Sequence, residues 1–140
     1  MNKKYFIIFL LMAILAVFLL GSCLSNQGLD DSHNSKNSLD WAGVYTGTIP
    51  SASGMGIDVR MTLNRDQSFE LRYEYVDKTD KPLICTGSFQ WDEKGSIIIL
   101  NIKDTPPYYK VAENKLIQLD MQGKPITGKL ADDYVLKKNR

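Results

Sequence analysis

From Trp41 to Leu136 the apolar side chains recur at every second residue, and no stretch shows the three-to-four spacing of an amphipathic helix. Successive side chains of a β-strand point to opposite faces, so this period describes strands with one dry face. Ile57, Val59, Met61 and Leu63 alternate with Asp58, Arg60 and Thr62. Phe69, Leu71, Tyr73 and Tyr75 alternate with Glu70, Arg72 and Glu74. Leu83, Cys85, Gly87, Phe89 and Trp91 take the apolar register opposite Thr86, Ser88 and Gln90. Residues 41–49, 96–102, 108–111, 116–119 and 134–136 read as further strands. Turn chemistry separates them: Asn64 to Gln67, a polar loop closed by Pro82, Asp92 to Gly95, Pro106-Pro107, Asn114, and Gly123-Lys124-Pro125. Eight short strands and tight turns predict an all-β, antiparallel, up-and-down barrel of one domain over residues 41–140. A two-sheet sandwich hides strand edges comparably well and is the alternative.

One strand breaks the alternation. Residues 96–102 (Ser-Ile-Ile-Ile-Leu-Asn-Ile) are apolar on both faces, so the outer face calls for cover. A partner protein, a second copy, or the chain's own C-terminal segment could supply it.

The first residues address the compartment. Lys3 and Lys4 precede an unbroken apolar run from Tyr5 to Leu20, which closes on Gly21, Ser22 and Cys23. A run of this length could span a bilayer, but its ending on small residues is that of a cleaved signal peptide. Leu20-Gly21-Ser22-Cys23 is similar to the bacterial lipobox, in which the Cys becomes the acylated first residue. Residues 1–22 are therefore expected to be a lipoprotein leader, and Cys23 the anchor to a membrane the chain does not cross. Leu24, rather than Asp, follows it, which by the enteric sorting rule favours the outer membrane of a Gram-negative bacterium. Residues 23–40 are polar and rich in Ser and Asn, the composition of a flexible tether.

Losing Lys3 and Lys4 with the leader takes the basic count from 17 to 15 against 16 acidic residues. A net charge near −1 gives no footprint for nucleic acid. With Cys23 acylated, Cys85 is the remaining thiol, and no disulfide can form within the chain.

Candidate chemistry is sparse. His33, the sole His, lies in the tether, away from any second strong ligand. Cys85 shares the inward register of Leu83 and Phe89, where a thiol behaves as a small hydrophobe. Ser51 and Ser53 have no His near them in sequence, and Asp92/Glu93 and Asp132/Asp133 fall in turns. No catalytic constellation and no cofactor are expected.

The segments "GVYTGTIPSASGMGIDVRMTLNRDQSFEL", "TGSFQWDEKGSIIIL" and "YYKVAENKLIQLDMQGKPI" resemble, in order and spacing, the N-terminal domain of the NlpE copper-resistance lipoproteins. The resemblance covers residues 41–136 and implies a lipocalin-like barrel that signals envelope stress or copper imbalance by contact with an envelope protein or sensor kinase. Fuller members add an OB-like domain, which the resemblance does not extend to here. In the family the loop after the Pro carries Cys-x-x-Cys, suited to soft metals or disulfide exchange. The matching positions here are Pro50, Ser51, Ala52, Ser53, Gly54 and Gly56. A Ser hydroxyl is a poor copper ligand, so the loop is expected to keep its turn geometry and lose its metal. Met55 and Met61 flank the loop, but Met61 lies in the dry register. No metal site is expected. A carrier of a small apolar ligand among Tyr45, Tyr73, Tyr75, Phe89 and Trp91 is the alternative function.

Overall fold

The computed structural model describes residues 33–52, 54–78 and 81–140. The leader, Cys23, most of the tether and Ser53 lie outside them. The described residues form one compact unit. Eight antiparallel strands close it into a barrel in which each strand pairs with its neighbours in sequence, and β1 with β8. They are β1 (Gly43–Ile49), β2 (Ile57–Leu63), β3 (Ser68–Tyr75), β4 (Leu83–Trp91), β5 (Ile97–Leu100), β6 (Tyr108–Ala112), β7 (Lys115–Gln118) and β8 (Val135–Lys138). All eight expected strands are present, and the sandwich is excluded because the sheet closes on itself.

The dry register becomes the interior except at the strand ends Tyr75 and Leu83, which are 39% and 55% exposed where β3 and β4 run past the filled core. Tyr45, Met61, Leu63, Leu71, Phe89, Ile98, Tyr109, Val111, Leu116 and Leu136 are all at most 2 % exposed. An eight-stranded barrel has an interior just wide enough for side chains to fill, and here they fill it. Met61 is core, as its register implies.

The wall does not close evenly. β2 pairs with β3 over seven residues, from Ile57↔Tyr75 to Leu63↔Phe69. β8 closes onto β1 through Tyr45↔Lys138 and Thr46↔Lys137, helped by Asn139 N–H donating to the Val44 carbonyl at 2.7 Å. Gly47 lets the two strands approach: a Cβ there would stand 2.6 Å from the Val135 carbonyl oxygen.

The tether ends earlier than its composition suggests. Asn34 caps a one-turn helix, α1 (Ser35–Ser38), by accepting from the Asn37 N–H at 3.1 Å. Ser35 Oγ donates to the Val111 carbonyl at 2.7 Å, and Lys36 N–H to the Gly95 carbonyl at 3.0 Å. Trp41 then tucks beneath the barrel, its Nε1 donating to the Lys36 carbonyl at 3.1 Å. One short side chain, Ser35, and one backbone N–H, that of Lys36, thus dock this segment on the carbonyls of Val111 in β6 and Gly95 in the β4–β5 turn.

The last strand, β8, lies in the barrel wall between β7 and β1 and so is no cover for the two-sided strand β5. Its outward Ile97 and Ile99 are half-buried, lying opposite Lys110 and Tyr108 across the β5–β6 ladder.

Candidate functional site at the barrel mouth

An up-and-down barrel places alternate connections at alternate ends. The β2–β3, β4–β5 and β6–β7 turns are tight and share one end with α1 and Trp41. The longer loops, 50–56, 76–82, 101–107 and 119–134, gather at the other, which we call the mouth.

The mouth holds every exposed large hydrophobic side chain among the described residues: Met55, Tyr75, Val76, Leu83, Ile84, Met121 and Leu130. Met55 is the extreme, 80 % exposed in the 50–56 loop. Burying such side chains would contribute about 25 cal/mol per Å² removed from water, so their collection at one end marks a surface built to be covered. Sequence periodicity missed most of them because they stand outside strand registers. The available signal was an isolated apolar residue among turn formers, as in Gly54-Met55-Gly56 and Asp120-Met121-Gln122. Ile84 carried another signal, being apolar in the wet register of β4.

The 50–56 loop forms one lip. Pro50, Ser51, Gly54 and Met55 line a surface hollow of about 320 Å³ with Leu130 and Asp133 of the 119–134 loop. Ala52 is exposed beside them. Gly54 packs against the 76–82 loop, where a Cβ would meet the Asp77 carboxylate at 2.6 Å. Gly56 has φ +135°, a conformation open to glycine and strained for other residues.

The donors here do not make a soft-metal centre. Ser51 offers a hydroxyl, Asp77 and Asp133 offer carboxylates, and the Met55 thioether stands out in solvent. Among the described residues no three His, Cys, Asp or Glu converge. Cys85, half-buried high on β4, lies opposite Leu71. His33 is exposed at the start of the described chain, at the closed end.

The aromatic residues of the carrier alternative are each engaged by protein groups. Tyr45 donates to the Trp41 carbonyl at 2.6 Å, and the Tyr73 and Tyr109 hydroxyls meet at 3.3 Å. Trp41, Phe89 and Trp91 form an edge-to-face cluster with centroids 5.5 to 6.3 Å apart. Tyr75, the last residue of β3, is 39% exposed, with the Lys78 ammonium 4.5 Å from its ring centroid. Burial pushes Tyr45 up to about 12, with the Asp40 charge adding to it, and raises Tyr73 and Tyr109 as well. Gln118, also buried, leaves its Oε1 without a hydrogen-bond partner among the described residues.

Fold and mouth together define the class of small closed up-and-down barrels with filled interiors and one loop-built, apolar end. The chain belongs to the NlpE N-terminal domain family, whose profile matches residues 45–129. It is similar to a protein of Shewanella oneidensis described as a lipoprotein, with 44% identity and a TM-score of 0.70, covering 76% of this chain and 96% of that one. It also shares its fold with the Cpx pathway activator NlpE from Escherichia coli, at 21% identity and a TM-score of 0.50, covering 62% of this chain. This chain spans 46% of that protein. No curated protein matches it.

Proposed function

We propose that this chain is a lipid-anchored protein of the bacterial cell envelope, held at the outer membrane through acylated Cys23. It works by protein contact, without catalysis, and passes a signal of envelope stress or copper imbalance to an envelope partner such as a sensor kinase. The observation that carries this reading is the collection of exposed apolar side chains at the mouth, opposite the end where the polypeptide enters the barrel. An anchor preceding Trp41 leaves the mouth free to meet a partner. The relatives are consistent with it, one being described as a lipoprotein and the other as a pathway activator. Copper sensing, on this reading, does not run through the 50–56 loop, whose Ser51 and Gly54 cannot grip Cu(I) as thiolates would. The carrier alternative draws less support, because its aromatic rings fill the space a ligand would need.

The test is an envelope-stress reporter in cells overproducing the full chain. Wild type incorporates an alkyne-labelled fatty acid and raises the reporter. Cys23→Ala loses the label and the response. A Met55→Asp/Leu130→Asp double variant keeps the label and loses the response. A mouth variant that signals as wild type does would overturn the reading.

A further inference from the structure

β4 is nine residues long, yet β5 pairs with only three of them, Phe89↔Leu100, Gln90↔Ile99 and Trp91↔Ile98. On its other side β3 pairs with Leu83 through Ser88. β5 stops at Leu100, where the chain leaves for the mouth, so the upper half of β4 has one neighbour instead of two. The direction of its backbone groups follows from two bonds. Phe89 N–H donates toward β3, to the Gln67 carbonyl at 2.9 Å, whereas the Ser88 carbonyl faces away and accepts from Asn101 N–H at 2.9 Å. Antiparallel strands alternate their bonding side residue by residue. Ile84 and Thr86 therefore turn their N–H and C=O groups outward, as Ser88 does, but among the described residues no partner strand meets them.

Such an edge templates further pairing, and proteins usually blunt it with a charge, a proline or a bulge. The run Leu83–Trp91 has no charged residue and no proline, Lys81 and Pro82 standing just before it and closing the edge at that end, and its register with β3 is unbroken from Leu83 to Ser88. Leu83 is 55% and Ile84 53% exposed there. The open groups are also symmetric about one residue: Ile84 and Thr86 flank Cys85, whose own backbone groups point to β3.

We propose that this edge pairs antiparallel with the same edge of a second copy, giving a two-fold dimer with one sheet running through both β4 strands. Centred on Cys85, the register sets Ile84 against Thr86 of the second copy and Thr86 against Ile84, with four new backbone hydrogen bonds. Cys85 meets its counterpart as a non-hydrogen-bonded pair, with Cα atoms about 4.5 Å apart. A second copy fits this edge better than an arbitrary strand because the pattern complements itself and carries no charge to repel its own image. The inference does not rest on the contact role assigned to the mouth, although Leu83 and Ile84 belong to both surfaces: a dimer covers those two and leaves Met55, Met121 and Leu130 to the partner.

The test uses full-length protein in the cells that make it, treated with the thiol oxidant diamide. Oxidation joins the two Cys85 sulfurs, and both thiol protons and the electron pair pass to diamide. A non-reducing gel is expected to show a species of doubled mass that reductant reverses and Cys85→Ser abolishes. Ile84→Pro takes away an outward N–H that no strand of the barrel uses, at an edge position where proline is tolerated, so it loses the doubled species, while an unchanged thermal midpoint shows that the barrel itself is intact. Thr86→Cys in the Cys85→Ser background places its thiol opposite Ile84 and links poorly. Leu130→Asp, at the mouth, leaves the doubled species intact. Absence of a Cys85-linked pair in the wild type, its persistence in Ile84→Pro, or linkage of Cys85 to a different protein would overturn the proposal.

Discussion

Tyr45 joins the barrel to its closed end. Its ring lies in the core while its hydroxyl donates to the Trp41 carbonyl at 2.6 Å. Tyr45→Phe keeps the packing and strands that carbonyl, so it is expected to cost about 1–2 kcal/mol, read as a lower denaturant midpoint at unchanged slope. The same burial gives an alkaline limit. Tyr45, Tyr73 and Tyr109 hold their protons above the ordinary value of 10.0 because burial penalises the phenolate. In the unfolded chain these phenols ionise near 10, so the stability they hold is complete below that pH. It is lost as pH climbs from 10 toward the folded value of about 12 for Tyr45. Denaturation midpoints should fall across that window while tyrosinate absorbance lags behind that of free tyrosine. Asp40 acts at the other extreme. Lys138 donates to its carboxylate at 3.0 Å and, first among the causes, lowers its pKa; Arg65 at 2.8 Å adds to the effect. That contribution exists above the unfolded value of 3.8 and fades as pH drops below it, but the carboxylate is exposed and the effect small. In the 50–56 loop a two-residue change tests metal binding. Ser51→Cys with Gly54→Cys sets a Cys-x-x-Cys pair there and is expected to give tight Cu(I) uptake by competition titration, where wild type shows none. The added Gly54 Cβ meets only the flexible Asp77 carboxylate.

The strands were legible in the sequence because each carries its own alternation: Ile57 to Leu63 and Phe69 to Tyr75 declare both position and facing without help from their neighbours. What was not legible depends on how strands meet. Nothing in "LICTGSFQW" tells that β5 abandons β4 at Phe89, because that is decided by where β5 ends. Nor does "SKNS" announce α1, whose docking rests on carbonyls of Gly95 and Val111 that sequence distance hides. The β1–β8 closure is of this kind too. Gly47→Ala puts a methyl group 2.6 Å from the Val135 carbonyl oxygen and 3.1 Å from a Leu136 methyl, both on the closing strand. Overpacking of backbone is expected to cost about 1–3 kcal/mol, with amide exchange accelerating first in β8. The same substitution at Gly128, which has open space around it, tests φ strain alone.

At the scale of the molecule, a filled barrel separates two ends with different tasks. The closed end receives the polypeptide through α1 and Trp41 and is bonded shut. The mouth gathers the long loops and all the exposed large apolar side chains of the described residues. Sequence could assign the fold and the family but not this polarity, because Met55, Tyr75, Val76, Leu83, Ile84, Met121 and Leu130 come together only when alternate loops share an end. The proposed contact role stands on that asymmetry. It is tested most directly by photo-crosslinking amino acids placed at Met55, Met121 and Leu130 in intact cells, with outward positions Thr62 and Glu70 as controls. The expected result is one protein adduct common to the three mouth positions and missing from the controls. Adducts of equal yield at mouth and control positions, or lipid adducts alone at the mouth, would contradict it.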